Sequence, residues 1–309
     1  MSYWGNLSLR LAAGAVGFDQ ALRRRHAAYL AGQQRADGGF SGRQGPSDPY
    51  YTSFALRGLA LLGQLNASVA RRAAMFLQSR LAAPQPSVDL LSLILGAMVL
   101  EVSAGVDVFR GTGKDRLETF LAAVEPLRRD DGGYAKNARS NASSTYQTFL
   151  VMACGQLLGM RLARADETRA FVVSRQRPDG GFVELEALHE GGTSPTAAAI
   201  GLLRLLGEPD QALAARATRF LAAMQNVEGG LRAHGRIPVA DLLSTFTGLV
   251  ALHDLRALDH IDLAAAHRYV TSLEKPEGGF RAGPWDDSAD VEYTFYGLGA
   301  LALLSRGPT

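Results

Sequence analysis

A short glycine motif recurs along this 309-residue chain at nearly constant intervals. The first glycines of its copies are separated by 94, 48, 49 and 49 residues. The first interval is twice the others, and the apolar segment 87–101 inside it predicts a repeat that has lost the motif. The spacing therefore predicts six units of about 48 residues, which is typical of a repeat architecture. The five copies are Asp37-Gly38-Gly39-Phe40, Asp131-Gly132-Gly133-Tyr134, Asp179-Gly180-Gly181-Phe182, Glu228-Gly229-Gly230-Leu231 and Glu277-Gly278-Gly279-Phe280.

Each unit has the pattern of a helical hairpin. The first helices, such as 19–34, 167–176 and 213–225, carry apolar residues at three- and four-residue spacing, which indicates one buried face. The Gly-Gly turn is expected to end each first helix, because glycine readily adopts a left-handed backbone. The second helices are apolar on every side and so are predicted to be buried: 53–62, 90–100, 146–158, 196–206, 244–252 and 293–304. Their predicted N-caps are Asp48, Ser87, Asn141, Thr193, Asp241 and Asp290.

Six such hairpins predict an all-α fold, an α6–α6 barrel (toroid) with the apolar helices inside around a central cavity. An open solenoid is the alternative, but it would need capping repeats at its ends. No strand pattern is present. We expect one toroid domain over residues 1–309, with residues 1–18 as an N-terminal extension.

Composition excludes several classes of protein. The 32 basic and 30 acidic residues give a net charge of +2, which argues against bulk electrostatic binding to nucleic acid or membrane surfaces. The single cysteine, Cys154, excludes a disulfide framework and any multi-cysteine metal site. No apolar run reaches the roughly 18 residues that span a bilayer, and residues 1–17 do not read as a signal peptide. We therefore expect a cytoplasmic protein without an integral membrane segment.

The predicted barrel suggests where a ligand binds. Parallel inner helices place their N-termini at one mouth, where helix dipoles and free N–H groups favour an anion such as a diphosphate. Aromatic residues near this mouth suit a long apolar ligand and could stabilise a carbocation, although they could equally fill the barrel. The predicted lining residues are Tyr51, Phe54, Tyr146, Phe246, Trp285 and Tyr296.

The repeat resembles that of a known superfamily. A Gln-x-x-x-Gly-x-aromatic pattern begins at Gln34 and Gln176, with a weaker copy at Gln225. It is similar to the repeat shared by squalene–hopene and oxidosqualene cyclases and by protein prenyltransferase β subunits. The resemblance covers residues 19 to 304 and implies an α6–α6 toroid that binds an isoprenoid in its central cavity.

The prenyltransferase branch of the superfamily holds zinc through an Asp, a Cys and a His. Asp241 matches the Asp, but Leu243 stands at the Cys position and Tyr293 at the His position. One ligand of three cannot hold a tetrahedral zinc ion, so we expect no zinc. His234 and Arg236 loosely match the basic pair that binds the diphosphate in that branch.

The cyclase branch protonates an alkene or epoxide with an acid from an Asp-x-Asp-Asp segment. The nearest sequence here is Asp286-Asp287-Ser288-Ala289-Asp290, whose spacing differs, and a loop ending in an N-cap is the simpler interpretation. Asp89, near the start of a buried helix, is interpreted either as a cap or as a cavity-facing group. The chain is also about half as long as a two-barrel triterpene cyclase.

These observations predict an enzyme acting on an isoprenoid diphosphate, either a terpene cyclase or a zinc-independent prenyltransferase. Asp241, Asp290 and Tyr293 are the predicted catalytic residues, and His234 and Arg236 the predicted diphosphate ligands. No cofactor is assigned beyond a possible Mg²⁺ ion, and the need for a helical α subunit is left open. The alternatives are a non-catalytic toroid that binds a prenyl chain or peptide, and a carbohydrate-active α/α barrel.

Overall fold

The computed structural model describes residues 2–81, 87–113, 115–160 and 164–305, and these are mostly helical. After an N-terminal helix α1, the helices follow one another in pairs, as the six predicted hairpins require. Their bounds are α1 Tyr3–Ala15, α2 Gln20–Gly32, α3 Pro49–Leu61, α4 Ala67–Arg80, α5 Ser87–Ala104, α6 Arg116–Val124, α7 Thr145–Leu157, α8 Ala165–Ser174, α9 Thr193–Leu205, α10 Gln211–Ala223, α11 Leu242–Asp254, α12 Leu263–Ser272 and α13 Val291–Leu304.

The second helices begin close to the predicted positions. Asp48, Asp241 and Asp290 are the N-caps of α3, α11 and α13, and each accepts a backbone N–H three residues later. Two predicted caps are wrong. The cap of α7 is Ser144 instead of Asn141, and α9 begins at Thr193 after Gly192. Ser87 begins α5, and its side chain lies outside the described residues.

The sequence shows no strand pattern, but the structure contains two short strand pairs. Both are antiparallel pairs of two-residue strands. In each pair, one strand follows a glycine turn and the other leads into the second helix of the same hairpin. Tyr134 pairs with Ser144 and Phe280 with Asp290. Two residues are too few to produce an alternating sequence pattern. The strands are β1 Tyr134–Ala135, β2 Ser143–Ser144, β3 Phe280–Arg281 and β4 Ala289–Asp290.

The chain forms two compact units. Among the described residues, unit 1 contains 2–7 and Val124–Ser272, and unit 2 contains Ser8–Ala123 and Leu273–Ser305. In unit 1, α9 packs between α7 and α11. In unit 2, α3 packs against α5 on one side and α13 on the other. The last hairpin thus contacts the first, which an open solenoid does not allow.

The glycine turns hold consecutive hairpins together. Gly38 has a φ of +88°, and a Cβ there would lie 2.3 Å from the carbonyl oxygen of Arg72 in α4. The other four turns approach the first helix of the following hairpin just as closely, and the turn at Gly278 meets Arg25 in α2. The first helices end about six residues before these glycines, so the glycines are not helix caps as predicted. Glycine is required here for close approach and for its left-handed backbone.

The glutamines of the repeat bridge the same junctions. The Gln34 side-chain amide donates to the carbonyl of Gly38, at 2.9 Å, and to that of Val69, at 3.1 Å. Gln176 and Gln225 repeat this pair of hydrogen bonds in the fourth and fifth hairpins. Each amide therefore fastens a turn to the start of the next first helix, which explains the Gln-x-x-x-Gly spacing.

A buried threonine joins each of these turns to its second helix. The Thr196 hydroxyl donates to the carbonyl of Gly192 and accepts the Phe182 N–H at 2.9 Å. The aromatic or leucine side chain that follows the two glycines is thereby fixed in the core, where Phe182 is fully buried. The same two bonds recur in five hairpins, through Thr52, Thr148, Thr196, Thr245 and Thr294.

Among the described residues, no helix is both long and apolar enough to span a membrane.

Candidate functional site

The start of α13 in unit 2 carries two carboxylates with different surroundings. Asp290 is the N-cap, and its Oδ1 accepts the Tyr293 N–H at 2.8 Å. Its Oδ2 accepts from Arg43 Nε at 3.1 Å. Burial raises the pKa of Asp290, and the cap bond and Arg43 oppose that shift. Asp290 is therefore a capping group held beside a guanidinium.

Glu292, two residues later, contacts neutral hydroxyl groups. Its Oε1 accepts from the Tyr50 hydroxyl at 2.6 Å and from the Tyr296 hydroxyl at 3.0 Å. Burial raises the pKa of Glu292, and the two hydroxyl bonds lower it only in part. The neighbouring carboxylates Asp290 and Asp48 raise the pKa further. Glu292 is therefore a half-buried acid that retains its proton to higher pH than an exposed glutamic acid does.

The two tyrosines that bind this acid belong to a group of aromatic rings. The Phe54 ring lies 5.0 Å from the Tyr50 ring and 5.2 Å from the Tyr296 ring, both in edge-to-face geometry. Tyr51 contacts Tyr50 at 5.2 Å, and Tyr293 contacts Tyr296 at 6.0 Å. Unit 2 thus brings together four residues that the sequence predicted for the site, namely Tyr51, Phe54, Tyr293 and Tyr296.

Arg43 fixes the loop that precedes α13. Its guanidinium binds the Asp286 carboxylate, with Nη1 2.8 Å from Oδ1, and also binds Asp290. It lies 5.9 Å from the centroid of the Tyr293 ring. Hydrogen bonding to Asp286 raises the pKa of Arg43 further, so it is a permanent cation. Asp286 is therefore an ion-pair partner, and this loop does not form an isolated acid cluster.

Two further carboxylates lie at the starts of neighbouring helices in unit 2. Asp48 caps α3 through the Tyr51 N–H at 2.8 Å, and burial raises its pKa. Asp89 in the first turn of α5 is close enough to add to that shift, and burial raises its pKa also. The positive charge of Arg80 opposes both shifts. Asp89 is half-buried and lies inside the first turn of α5, so it is not the N-cap of that helix.

Unit 1 holds the remaining predicted polar site residues. Asp241 caps α11, and its two oxygens accept the N–H and the hydroxyl of Ser244, each at 2.7 Å. Burial raises the pKa of Asp241. Arg236 is exposed and pairs with Glu190 at 3.0 Å, and its N–H donates to Nδ1 of His234 at 3.3 Å. The structure thus places His234 and Arg236 together on one loop.

The other predicted lining residues differ in exposure. Phe246 is buried in α11, with 5% of its surface exposed. Tyr146 in α7 is 40% exposed, and its N–H donates to Glu184 at 3.1 Å. Trp285 is 55% exposed and lies against Gly283 in the loop before α13. Within their own units, only Phe246 is a core residue.

The positions that match the zinc ligands of the prenyltransferase branch do not fit the metal. Leu243 supplies no donor, and both oxygens of Asp241 already bind Ser244. Among the residues that the structure describes, no group of three or more His, Cys, Asp or Glu side chains could hold a metal ion.

Sequence reasoning missed the central residue of this site. Glu292 is not among the predicted site residues, because a glutamate is common in the first turn of a helix. The available signal was its position: α13 is otherwise apolar in sequence, so a carboxylate two residues after its cap enters a buried environment. Arg43 was also missed, and so was the contact of Tyr50 with Glu292, because both contacts join segments about 240 residues apart.

Comparison with known proteins identifies the family of this chain. The model of the prenyltransferase alpha-alpha toroid domain matches residues 1–77 and 75–305. The drimenyl diphosphate synthase of Streptantibioticus cattleyicolor is 28% identical over an alignment of 184 residues that covers 52% of this chain and 34% of that protein. The chain thus spans about a third of the length of this curated relative.

Solved structures show the same fold at low identity. Protein geranylgeranyltransferase-I of Candida albicans, complexed with GGPP, has a TM-score of 0.70 at 14% identity, covering 92% of each chain. A variant of the type II terpene cyclase MstE from Scytonema, in complex with the substrate geranylgeranyl dihydroxybenzoate, has a TM-score of 0.61 at 14% identity, covering 97% of each chain. The resemblance inferred from the repeat is confirmed. The chain belongs to the prenyltransferase alpha-alpha toroid domain family, and its fold is the α–α toroid that the hairpin repeat predicts.

Proposed function

We propose that this chain is an isoprenoid-using enzyme of the terpene cyclase type, in which the Glu292 carboxyl group protonates a carbon–carbon double bond of the substrate. The observation that carries the proposal is a half-buried carboxyl group that accepts two tyrosine hydroxyls and has a raised pKa. The drimenyl diphosphate synthase and type II terpene cyclase relatives support it.

Glu292 is better suited than Asp290 to donate a proton. A guanidinium beside a carboxylate favours its ionised form, and Arg43 binds Asp290 directly. Glu292 instead accepts hydrogen bonds from two neutral phenols. We therefore assign the acid to Glu292, and a capping and positioning role to Asp290.

The geometry around Glu292 also suits the state after proton transfer. Both tyrosine hydroxyls donate to Oε1, so the acid proton is placed on Oε2. Once the proton has left, the same two bonds become charge-assisted and stabilise the carboxylate. The face of Tyr296 would then stabilise the cation formed on the substrate.

The reaction is an isomerisation that begins with protonation and ends with loss of a proton from carbon. The test is incubation of the protein with farnesyl and geranylgeranyl diphosphate in D₂O, followed by mass analysis of the products. A cyclised isomer that retains the diphosphate and carries one solvent deuterium is the expected result. Release of pyrophosphate without deuterium incorporation would instead indicate prenyl transfer and refute the acid role of Glu292.

Variants assign the acid. Glu292→Gln should lower turnover by about 10²–10⁴-fold, the range for loss of a general acid. Asp290→Asn keeps a good N-cap residue and should lose far less. Glu184→Gln is the matched control, since Glu184 likewise accepts a hydroxyl and a backbone N–H at the start of α7. Equal losses in Glu292→Gln and Glu184→Gln would contradict the assignment.

The pH profile provides an independent check. Only the protonated form of Glu292 donates, so turnover should fall as the pH rises through its raised pKa. Tight binding of prenyl ligands without turnover at any pH would favour the alternative, a non-catalytic binding toroid.

A further inference from the structure

Arg57 lies among the aromatic side chains of unit 2. Its guanidinium is 3.9 Å from the centroid of the Phe295 ring and 5.4 Å from that of Phe54. Phe295 and Phe54 are buried and contact each other at 5.7 Å. The positive charge of Arg57 thus lies against the group of aromatic side chains that the proposed function uses.

The Arg57 guanidinium and the Glu292 carboxyl group lie towards opposite ends of this group of aromatic side chains. Residues 50, 54 and 57 of α3 share one helix face, because residues three and four apart are neighbours. Tyr50 contacts Glu292, and Arg57 lies seven residues further along α3, about 10 Å at 1.5 Å per residue. Phe54, between them, contacts Tyr50, Tyr296 and the guanidinium.

These positions have opposite electrostatic preferences. At the Glu292 end, a neutral acid and aromatic faces tolerate a developing carbocation. At the Arg57 end, the face of Phe295 already has a cation against it, and a second positive charge there is repelled. A guanidinium is always protonated, and its planar set of N–H donors matches a phosphate or a carboxylate.

We propose that Arg57 is a specificity-determining residue that selects an isoprenoid with an anionic head group and directs its double bonds towards Glu292. This inference rests on the proposed function and deepens it. The shared ligand chemistry is an anionic oxygen group on a prenyl chain, either a diphosphate or a carboxylate.

The test measures binding and turnover of three ligands with the whole chain. Geranylgeranyl diphosphate and geranylgeranyl dihydroxybenzoate represent the two anionic groups, and geranylgeraniol is the neutral control. Arg57→Met keeps an unbranched side chain and removes the charge. It should weaken binding of an anionic ligand at least tenfold and change geranylgeraniol binding less than twofold. Arg57→Lys should recover part of the loss, and the ligand with the larger loss identifies the head group.

The matched control is Arg128→Met in unit 1, where a guanidinium lies 5.4 Å from the Tyr134 ring. It should not discriminate between the ligands. Equal weakening of all three ligands by Arg57→Met would overturn the proposal, because it would assign Arg57 to packing alone. Binding is measured by fluorescence titration, separately from turnover. A protein that binds anionic ligands through Arg57 but yields no product would refute the proposed function and support only the selection of the head group by Arg57.

Discussion

Replacing Thr196 with valine tests the threonine hydrogen bonds that recur in five hairpins. Valine preserves the shape of the side chain but removes the hydroxyl that accepts the Phe182 N–H at 2.9 Å. That N–H is buried, and it would be left without a partner. The carbonyl of Gly192 still accepts the backbone N–H of residue 196, so it loses only one of two bonds.

The expected cost follows from this asymmetry. An unsatisfied buried donor costs about 1–3 kcal/mol, whereas losing a spare bond to an otherwise paired carbonyl costs little. We therefore expect Thr196→Val to lower the free energy of unfolding by about 2 kcal/mol. With a denaturant slope of about 2 kcal/mol per M, the urea midpoint should fall by about 1 M.

Urea unfolding followed by circular dichroism measures the change, and amide exchange reports on Phe182 directly. Thr119→Val in α6 is the matched control, because the Thr119 hydroxyl also donates to a carbonyl four residues earlier but lies in a half-buried position. A Thr196→Val midpoint within about 0.2 M of the control would refute the reasoning. Unchanged exchange of the Phe182 amide would refute it as well.

Three further predictions concern unit 2. Gly297→Ala should destabilise the protein by about 1–3 kcal/mol in thermal unfolding, because the new Cβ would lie 2.4 Å from the Phe280 ring. The control Gly32→Ala should be neutral or stabilising, because no atom lies within 4 Å of its Cβ position. The raised pKa of Glu292 means that the folded state binds more protons than the unfolded chain, so stability should fall as the pH rises from about 4.3 through the folded pKa. Glu292→Gln should flatten that fall, and an unchanged slope would contradict it. Arg43→Gln should lower the melting temperature at pH 7, and this loss should vanish at low pH as its carboxylate partners are protonated; an equal loss at both pH values would point to packing instead.

The fold could be predicted from the sequence because the repeat recurs with almost constant spacing. Each interval contains one amphipathic and one apolar helix, and the observed bounds differ from the predicted ones by only a few residues at most ends. The errors fall where local rules compete. Asn141 and Ser144 are both good caps, and the two-residue strand pair ending at Ser144 decides between them. The left-handed backbone of the glycines was predicted correctly, but it was attributed to helix ends. The actual requirement is close contact with the next hairpin, which is a tertiary feature.

The candidate site was only partly predictable. Aromatic residues such as Phe54 and Tyr296 were found because they lie early in apolar helices. The acid was not found, because its surroundings depend on contacts such as the one with Tyr50, which lies 242 residues earlier in the chain. The roles of Arg43 and Arg57 likewise depend on contacts with residues more than 200 positions away. Such pairings leave no local sequence pattern.

The junction between the last turn and α2 has a consequence for biosynthesis. The N–H of Gly279 donates to the ring of His26 across 253 residues, and Gly278 packs on the backbone of Arg25. These partners of α2 are therefore synthesised about 250 residues after it. Until they emerge, α2 can pack on α3 of its own hairpin, but the surface around His26 that the last turn covers stays exposed.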